Sequence, residues 1–406
     1  MIDLHSSRII VAGGSLSGQS AVTELIDRGF AGEIVWITGE AGGVYSKPAL
    51  SKEFMQGRVS LESILLPAID PCGANLKIID GSRGLSLDAQ ARHLQLDDGR
   101  YFDFDGLLIC TGASARMPDF ALNIDNVLPL RTLEHALAIQ QAVRTKPRVL
   151  ILGGGLIGCE MAASLRGLDL DVTVVEMQSS LLERPFGGAF GDYFEQLQRR
   201  NGVTVLTGQS LARLQTANGK VTGAELADSR LLPADLVLVG AGSIPETAWL
   251  AGSGLALENG VVCDDTLCSS VPGIFAAGDV ASWLNPLYGV RMRVEHWTNA
   301  SAQGRAAATN LLAALCGDAP GIKSFGDIPY FWSDQFGLKI QMVGWHPGHD
   351  RVVVDQPEGA PGPVITYFRG DRLVAAAGVN ASRAVMTFRR QIEAEARRTV
   401  LEPADA

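Results

Sequence analysis

The stretch that most restricts what this chain can fold into is Arg148 to Glu176, RVLILGGGLIGCEMAASLRGLDLDVTVVE. A β-branched and Leu-rich run, Val149 to Leu152, opens into Gly153, Gly155 and Gly158. An alanine-rich helical segment follows, then a second apolar run, Val172 to Val175, ending in Glu176. Strand, glycine turn, helix, strand and acid, in that order, are what a dinucleotide-binding unit requires. Gly153 permits the tight turn, Gly155 lets the backbone approach a pyrophosphate, and Gly158 lets helix and strand pack closely. The helix N-terminus turns free N–H groups and the positive end of its dipole toward the phosphates. Glu176 is expected to accept the adenosine ribose hydroxyls. A glycine-rich turn in an unrelated α/β domain is the competing reading, and it leaves the acid at the strand end unexplained.

Residues 8 to 40 repeat the pattern. Arg8 to Ala12 reads as a strand, Gly13-Gly14-Ser15-Leu16-Ser17-Gly18 as the turn, Gln19 to Arg28 as a helix and Ile34 to Thr38 as the next strand, with Glu40 shortly beyond. Serine stands where the second glycine would be, yet a small residue still lets a pyrophosphate approach. Two Rossmann-type units in one chain imply two dinucleotides. At 406 residues the chain is too long for one ordinary core. The expected fold is therefore α/β, with two Rossmann-type dinucleotide-binding domains and a smaller α+β C-terminal domain.

Two strand-to-glycine crossings suggest where the chain passes between domains. Gly106 to Cys110 meets Thr111-Gly112-Ala113, and Val237 to Val239 meets Gly240-Ala241-Gly242. They place one discontinuous domain at 1–113 and 243–318, a second at 114–242 and a third at 319–406. Asp98-Gly99 and Asn218-Gly219 are hairpin signals within β-rich connections. Ile274 to Val280 reads as a buried strand ending in Gly278-Asp279, where the aspartate either meets a ligand hydroxyl or caps the following helix. A helix is expected from about Thr298 to Leu315, with Arg305 on its surface. Strands in LKIQMVGW, RVVVDQ, PVITYFRG and RLVAAAGV and a final charged helix, roughly Ser382 to Arg398, close the chain.

Net charge of −10 argues against nucleic acid as a bulk partner, although a local basic patch facing a small acidic protein stays open. No apolar run approaches the roughly 20 residues that span a bilayer, and the N-terminus enters a strand at once, so no secretory signal is expected. Six cysteines are scattered without a C-x-x-C pair or metal spacing. Cys263 and Cys268 form a C-x4-C in what reads as strand, turn and strand, not a redox pair. A reduced, cytoplasmic protein without bound metal is the simpler inference. His296, His346 and His349 read as surface or structural, and Arg389-Arg390 with Arg397-Arg398 as a solvated helical face.

Taken together, VAGGSLSG, YSKPALSK, LLICTGA, LRTLEHA, VLILGGGLIGCE, VTVVE, GIFAAGD, RVEHWTNA and PYFWSDQFGLKIQMVG resemble the FAD-dependent ferredoxin reductases of bacterial cytochrome P450 and aromatic-ring dioxygenase systems. That family has the glutathione-reductase-like fold, and its members often carry Gly-x-Ser in the first turn. The resemblance implies that Gly13, Ser17 and Gly18 hold the FAD pyrophosphate, with Glu40 near the adenosine ribose and Gly84 against the adenine. In YSKPALSK, Lys47 stands for the family's arginine and Ala49 for a proline, while Lys52 matches the lysine beside the isoalloxazine. Thr111, Gly112, Arg131, Gly278, Asp279 and Trp297 match further FAD positions, Asp279 at the ribityl chain and Trp297 at the pyrimidine end. Gly153, Gly155, Leu156, Ile157, Gly158, Glu176, Arg184, Gly240 and Gly242 match the NADH site, and Glu160 lies near the nicotinamide. Trp332 matches a tryptophan at the exposed flavin edge, where Tyr330 replaces another.

The implied activity is hydride transfer from NADH to FAD, then release of single electrons to a 2Fe-2S ferredoxin that supplies a P450 or ring-hydroxylating dioxygenase. Lys52, Glu160 and Trp332 carry the chemistry in this reading, and Arg305 and Lys339 are the docking candidates. NADH is expected over NADPH because Glu176 would repel a 2′-phosphate, with Arg184 the feature that opposes it. Disulfide reductases and NADH peroxidases of this fold carry a redox cysteine soon after the first nucleotide unit. Residues 39 to 60 contain none, so the chemistry is expected to end at the flavin. The rivals are a rubredoxin- or monodehydroascorbate-type reductase, and an apoptosis-inducing-factor-like flavoprotein, which shares the RVEHW segment and acts through partner binding.

Overall fold

The structure, a computed structural model, describes residues 5–356 and 362–401, the side chains of 397–401 excepted. Arg397 and Arg398 therefore lie outside the described side chains, whereas Arg389 pairs with Asp327 at 3.0 Å.

Two five-stranded parallel sheets carry the two repeats. In the first, the strand order is Ile274–Ala276, Gly106–Ile109, Arg8–Ala12, Glu33–Thr38, Asn75–Asp80. In the second it is Thr204–Leu206, Val172–Val175, Val149–Leu152, Leu236–Val239, Val127–Pro129. The strand before each glycine turn is central and pairs on one side with the strand after the helix. Central parallel strands are covered on both faces and so read as unbroken apolar runs. Ile9, Ile10 and Val11 have no accessible surface, and Val149 to Ile151 almost none. Each such side chain contributes about 1.5–3 kcal/mol on burial.

The glycine crossings meet each other. Ala113–Ala115 pairs antiparallel with Ser243–Pro245, forming a two-stranded ribbon between the two sheets. Both hairpin signals turn as expected: His93–Leu96 pairs with Tyr101–Asp103, and Leu211–Ala217 with Lys220–Leu226. At the second turn Asn218 and Gly219 have φ of 51° and 77°, the left-handed pair that a two-residue hairpin loop prefers. Helix Leu16–Asp27 packs on helix Trp297–Cys316, so closely that a Cβ on Gly304 would lie 2.2 Å from the Ser17 carbonyl oxygen.

The third unit is an antiparallel sheet ordered Tyr330–Gln335, Leu338–Gly344, Arg372–Val379, Val364–Arg369, Arg351–Asp355, with helix Ser382–Leu401 against it. Its first strand was not expected from local pattern. The turn that makes it is Phe336-Gly337, both at positive φ, a dipeptide without the usual hairpin signature. Among the described residues, no helix is long and apolar enough to cross a membrane.

Candidate functional site

The first glycine turn is shaped by the protein's own backbone. A Cβ on Gly13 would sit 2.1 Å from the Cys110 carbonyl oxygen, and one on Gly18 would sit 1.9 Å from that of Gly13. Ser15 precedes the helix in extended conformation and makes no side-chain cap. Across from this turn, Arg131 and Asp279, 148 residues apart, meet at 2.5 Å, and Arg131 also donates to the Ala113 carbonyl at 2.8 Å. Thr111 donates to the Glu246 carbonyl at 3.0 Å, and Gly112 lies under the Arg131 guanidinium. The Gly278 N–H donates to Gln303 Oε1 at 2.8 Å. These segments converge on one region, with Trp297 opening the helix beside them.

Whether that region suits FAD can be judged from its unmet polar atoms. Asn299 Nδ2 and Gln303 Nε2, one helical turn apart and both buried, have no partner within the protein, nor does His296 Nδ1. Buried donors are normally satisfied, and a flavin with its ribityl chain supplies acceptors. Burial pushes the His296 pKa down to about 4, so the ring is neutral near pH 7. The residues fit the group. Nothing in local sequence singled out Asn299 and Gln303, although two amides four residues apart on an alanine-rich helix were the available signal.

The acids of the two repeats differ. Glu176 Oε2 accepts from the Gly154 N–H at 2.6 Å and Oε1 from the Gln178 N–H at 2.7 Å. In the first repeat the residue facing the middle glycine is Thr38. Glu40 stands two positions later, with Oε1 2.8 Å from Lys47 Nζ and Oε2 accepting from the Tyr45 hydroxyl. Burial opposes its ionisation, but Lys47 and Tyr45 outweigh that and hold the carboxyl below its usual range. A ribose arriving at Glu40 would share a carboxylate already occupied. Gly84 packs on the Trp249 ring, where a Cβ would come within 2.8 Å.

At the second turn, Gly153 and Gly158 repeat the constraints of Gly13 and Gly18, with added Cβ atoms 2.3 Å from the Gly240 oxygen and 2.0 Å from the Gly153 oxygen. Gly155 is different: a Cβ there would meet nothing. Leu156 and Ile157 begin the helix, Ile157 45% exposed. The Arg184 guanidinium comes within 3.8 Å of where a Cβ on Gly242 would be. Arg184 thus stands beside Gly242, Glu176 beside Gly154 and Gly240 behind Gly153.

The two units meet at Lys52 and Glu160. Lys52 Nζ lies 2.7 Å from Glu160 Oε2, and both side chains are at most 10% exposed. A single buried charge is costly, and pairing with further hydrogen bonds offsets the cost. Lys52 also donates to the Pro48 carbonyl at 3.0 Å. Ser51 and Ser333, neither singled out by sequence, donate to the same Glu160 carboxylate. Trp332, next to Ser333, stacks on Tyr330 with centroids 6.1 Å apart. Lys52 also reaches the floor of a cleft of about 530 Å³ whose wall includes Lys339. Arg305 lies elsewhere, on helix Trp297–Cys316, with its guanidinium on Ser301 at 2.8 Å.

His346 and His349, both half-buried, pack together against Tyr367. All six cysteines are free, and no group of three or more metal-ligating side chains occurs among the described residues.

Residues 7–304 match the pyridine nucleotide-disulphide oxidoreductase family, and residues 330–406 match the reductase C-terminal family. Putidaredoxin reductase of Pseudomonas putida is 32% identical over 402 residues, covering 96% of this chain and 93% of its own. The ferredoxin–NAD(+) reductase component of the biphenyl dioxygenase system of Paraburkholderia xenovorans is 33% identical over 307 residues, covering 75% of this chain and 74% of its own. Among solved structures, the covalent putidaredoxin reductase–putidaredoxin complex superposes with a TM-score of 0.88 at 30% identity, covering 95% of this chain and 93% of that one.

Proposed function

The chain belongs to the pyridine nucleotide-disulphide oxidoreductase family, and from that premise we propose that it is an FAD-dependent NADH:ferredoxin reductase. Its electrons go to a 2Fe-2S ferredoxin that serves a P450 or a ring-hydroxylating dioxygenase. The observation that carries this reading is the contact between Lys52 and Glu160, 108 residues apart, which joins the two dinucleotide units, while residues 39 to 60 hold no cysteine.

Bound FAD supplies the chemistry of accepting a hydride and releasing electrons singly. The chain's own residues hold and orient. Gly13, Ser17 and Gly18 keep the first turn close enough for the pyrophosphate, and Arg131 with Asp279 lines the path of the ribityl chain. Asn299 and Gln303 offer donors to the flavin. Glu40 and Gly84 stand on the adenosine side, Trp297 on the pyrimidine side. On the other unit, the open space before Gly155 receives the NADH pyrophosphate, and Glu176, its oxygens fixed by two backbone N–H groups, takes the adenosine ribose. Glu160 would orient the nicotinamide, and Lys52 would set its positive charge beside the flavin, where negative charge develops. Trp332 faces the redox partner, and Arg305 and Lys339 offer it cations despite the acidic chain. Six free cysteines suit a cytoplasmic location.

Stopped-flow mixing tests the reading. Rapid flavin bleaching by NADH, then fast reoxidation by a 2Fe-2S ferredoxin, is the expected result. A long-lived charge-transfer complex that reoxidises slowly would instead favour a flavoprotein acting through partner binding.

A further inference from the structure

Glu160 is 3% exposed, and its two oxygens are held from different directions. Oε2 takes Lys52 and Ser51, from the segment after the first repeat. Oε1 takes the Ser333 hydroxyl at 2.6 Å, from the C-terminal sheet 173 residues away. Ser333 in turn accepts from Gln335 Nε2 at 3.1 Å, and Gln335 Oε1 accepts from Gln198 Nε2 at 3.0 Å. The same Gln198 nitrogen donates to the carbonyl of Cys159, the residue before Glu160, at 3.2 Å. The bonds therefore close a ring through the Cys159–Glu160 backbone. Ser333, Gln335 and Gln198 are each at most 1% exposed.

The ring has a direction. Gln198 uses its amide nitrogen on two acceptors while its own oxygen has no partner. Flipping that amide would set oxygen against two oxygens, so the donor orientation is forced. Gln198 donates to Gln335, Gln335 to Ser333 and Ser333 to Glu160, which leaves the carboxylate as the terminal acceptor. Ser333 and Gln335, two residues apart on a strand, share the inward face, whereas Tyr330 and Trp332 take the other. One strand thus serves both the buried carboxylate and the aromatic edge.

We propose that Ser333 is a positioning residue for the junction of the two dinucleotide sites, through which the C-terminal sheet fixes Glu160 and, by way of it, Lys52. The inference rests on the reading that NADH reduces flavin at this junction. Without the Ser333 donor, the carboxylate leans harder on Lys52, and less of the ammonium charge serves the reduced flavin.

The test uses the flavin-loaded protein. Ser333→Ala is expected to keep its FAD, weaken NAD+ binding by about tenfold and shift the bound flavin's midpoint potential to more negative values. Ser333→Thr, which retains the hydroxyl, should restore both. Gln198→Met breaks the ring on its far side and should move the potential in the same direction, which keeps the inference open to test should Ser333→Ala fail to fold. Wild-type potential and NAD+ affinity in Ser333→Ala, or in Gln198→Met if that variant alone folds, would overturn the inference and leave the reductase reading standing. A wild-type flavin that NADH does not reduce would defeat that reading, and this inference with it.

Discussion

Two carboxylates read from the same sequence pattern have different surroundings. Glu176 follows its strand directly and is fixed by two backbone N–H groups, whereas Glu40 comes two positions late and is taken up by Lys47 and Tyr45. Backbone donors hold an acid in place without occupying both faces of it. Glu176→Ala is therefore expected to raise KM for NADH roughly tenfold, narrow the kcat/KM preference for NADH over NADPH, and leave FAD content unchanged. Steady-state kinetics with both nucleotides, beside the flavin-to-protein absorbance ratio, check it; loss of FAD would mean that the two sites are assigned the wrong way round. His296 gives a pH prediction. Its folded pKa is near 4 and its ordinary value 6.5, so as pH falls below 6.5 the unfolded chain binds a proton that the folded chain refuses. Stability should decline from about pH 6.5 to 4 and level off below, by roughly 3 kcal/mol in total. His296→Gln should remove that component, read as the difference between the two proteins' denaturation midpoints across the window.

At the scale of elements, the glycine turns were legible because their requirement is local. Gly13 and Gly153 need positive φ, and Gly18 and Gly158 must clear the carbonyl five residues back. Gly18→Ala forces a methyl to 1.9 Å from that carbonyl, an overpacking that costs about 1–3 kcal/mol. It is expected to yield protein largely without FAD. Gly158→Ala, the same change in the second unit, should keep its FAD and bind NADH poorly, and comparing flavin content with NADH affinity separates the two. The strand Tyr330–Gln335 was not legible as a strand. Of its inward residues Phe331, Ser333 and Gln335, the last two are polar groups whose partners, Glu160 and Gln198, arrive from elsewhere. No alternation of apolar and polar residues could announce it.

At the scale of the molecule, the chain carries a net charge of −10, so a carrier that docks by charge on Arg305 and Lys339 has to be acidic where it meets them. Charges on exposed Arg305 and Lys339 act across solvent, where screening over about 8–10 Å removes most of their effect. Ferredoxin reduction should weaken as salt rises, and the double variant Arg305→Glu, Lys339→Glu should raise KM for ferredoxin about tenfold at low salt. The NADH half-reaction, followed by flavin bleaching, serves as the control; an unchanged salt dependence in the double variant would place docking elsewhere. By itself the sequence determined two glycine-turn units, their strands and helices, and the order in which the chain visits them. Turn sterics, apolar runs and hairpin dipeptides act over a few residues and so can be read locally. Only the tertiary structure decided that Arg131 meets Asp279, that Asn299 and Gln303 are left as open donors, and that Ser333 closes on Glu160. Those contacts join residues far apart in the chain, and burial and hydrogen-bond direction, which sequence spacing does not encode, select them. The opening glycine stretch, Gly153 to Glu176, is the clearest case: its shape was local, while its tie to Lys52 and to the C-terminal sheet came from the fold.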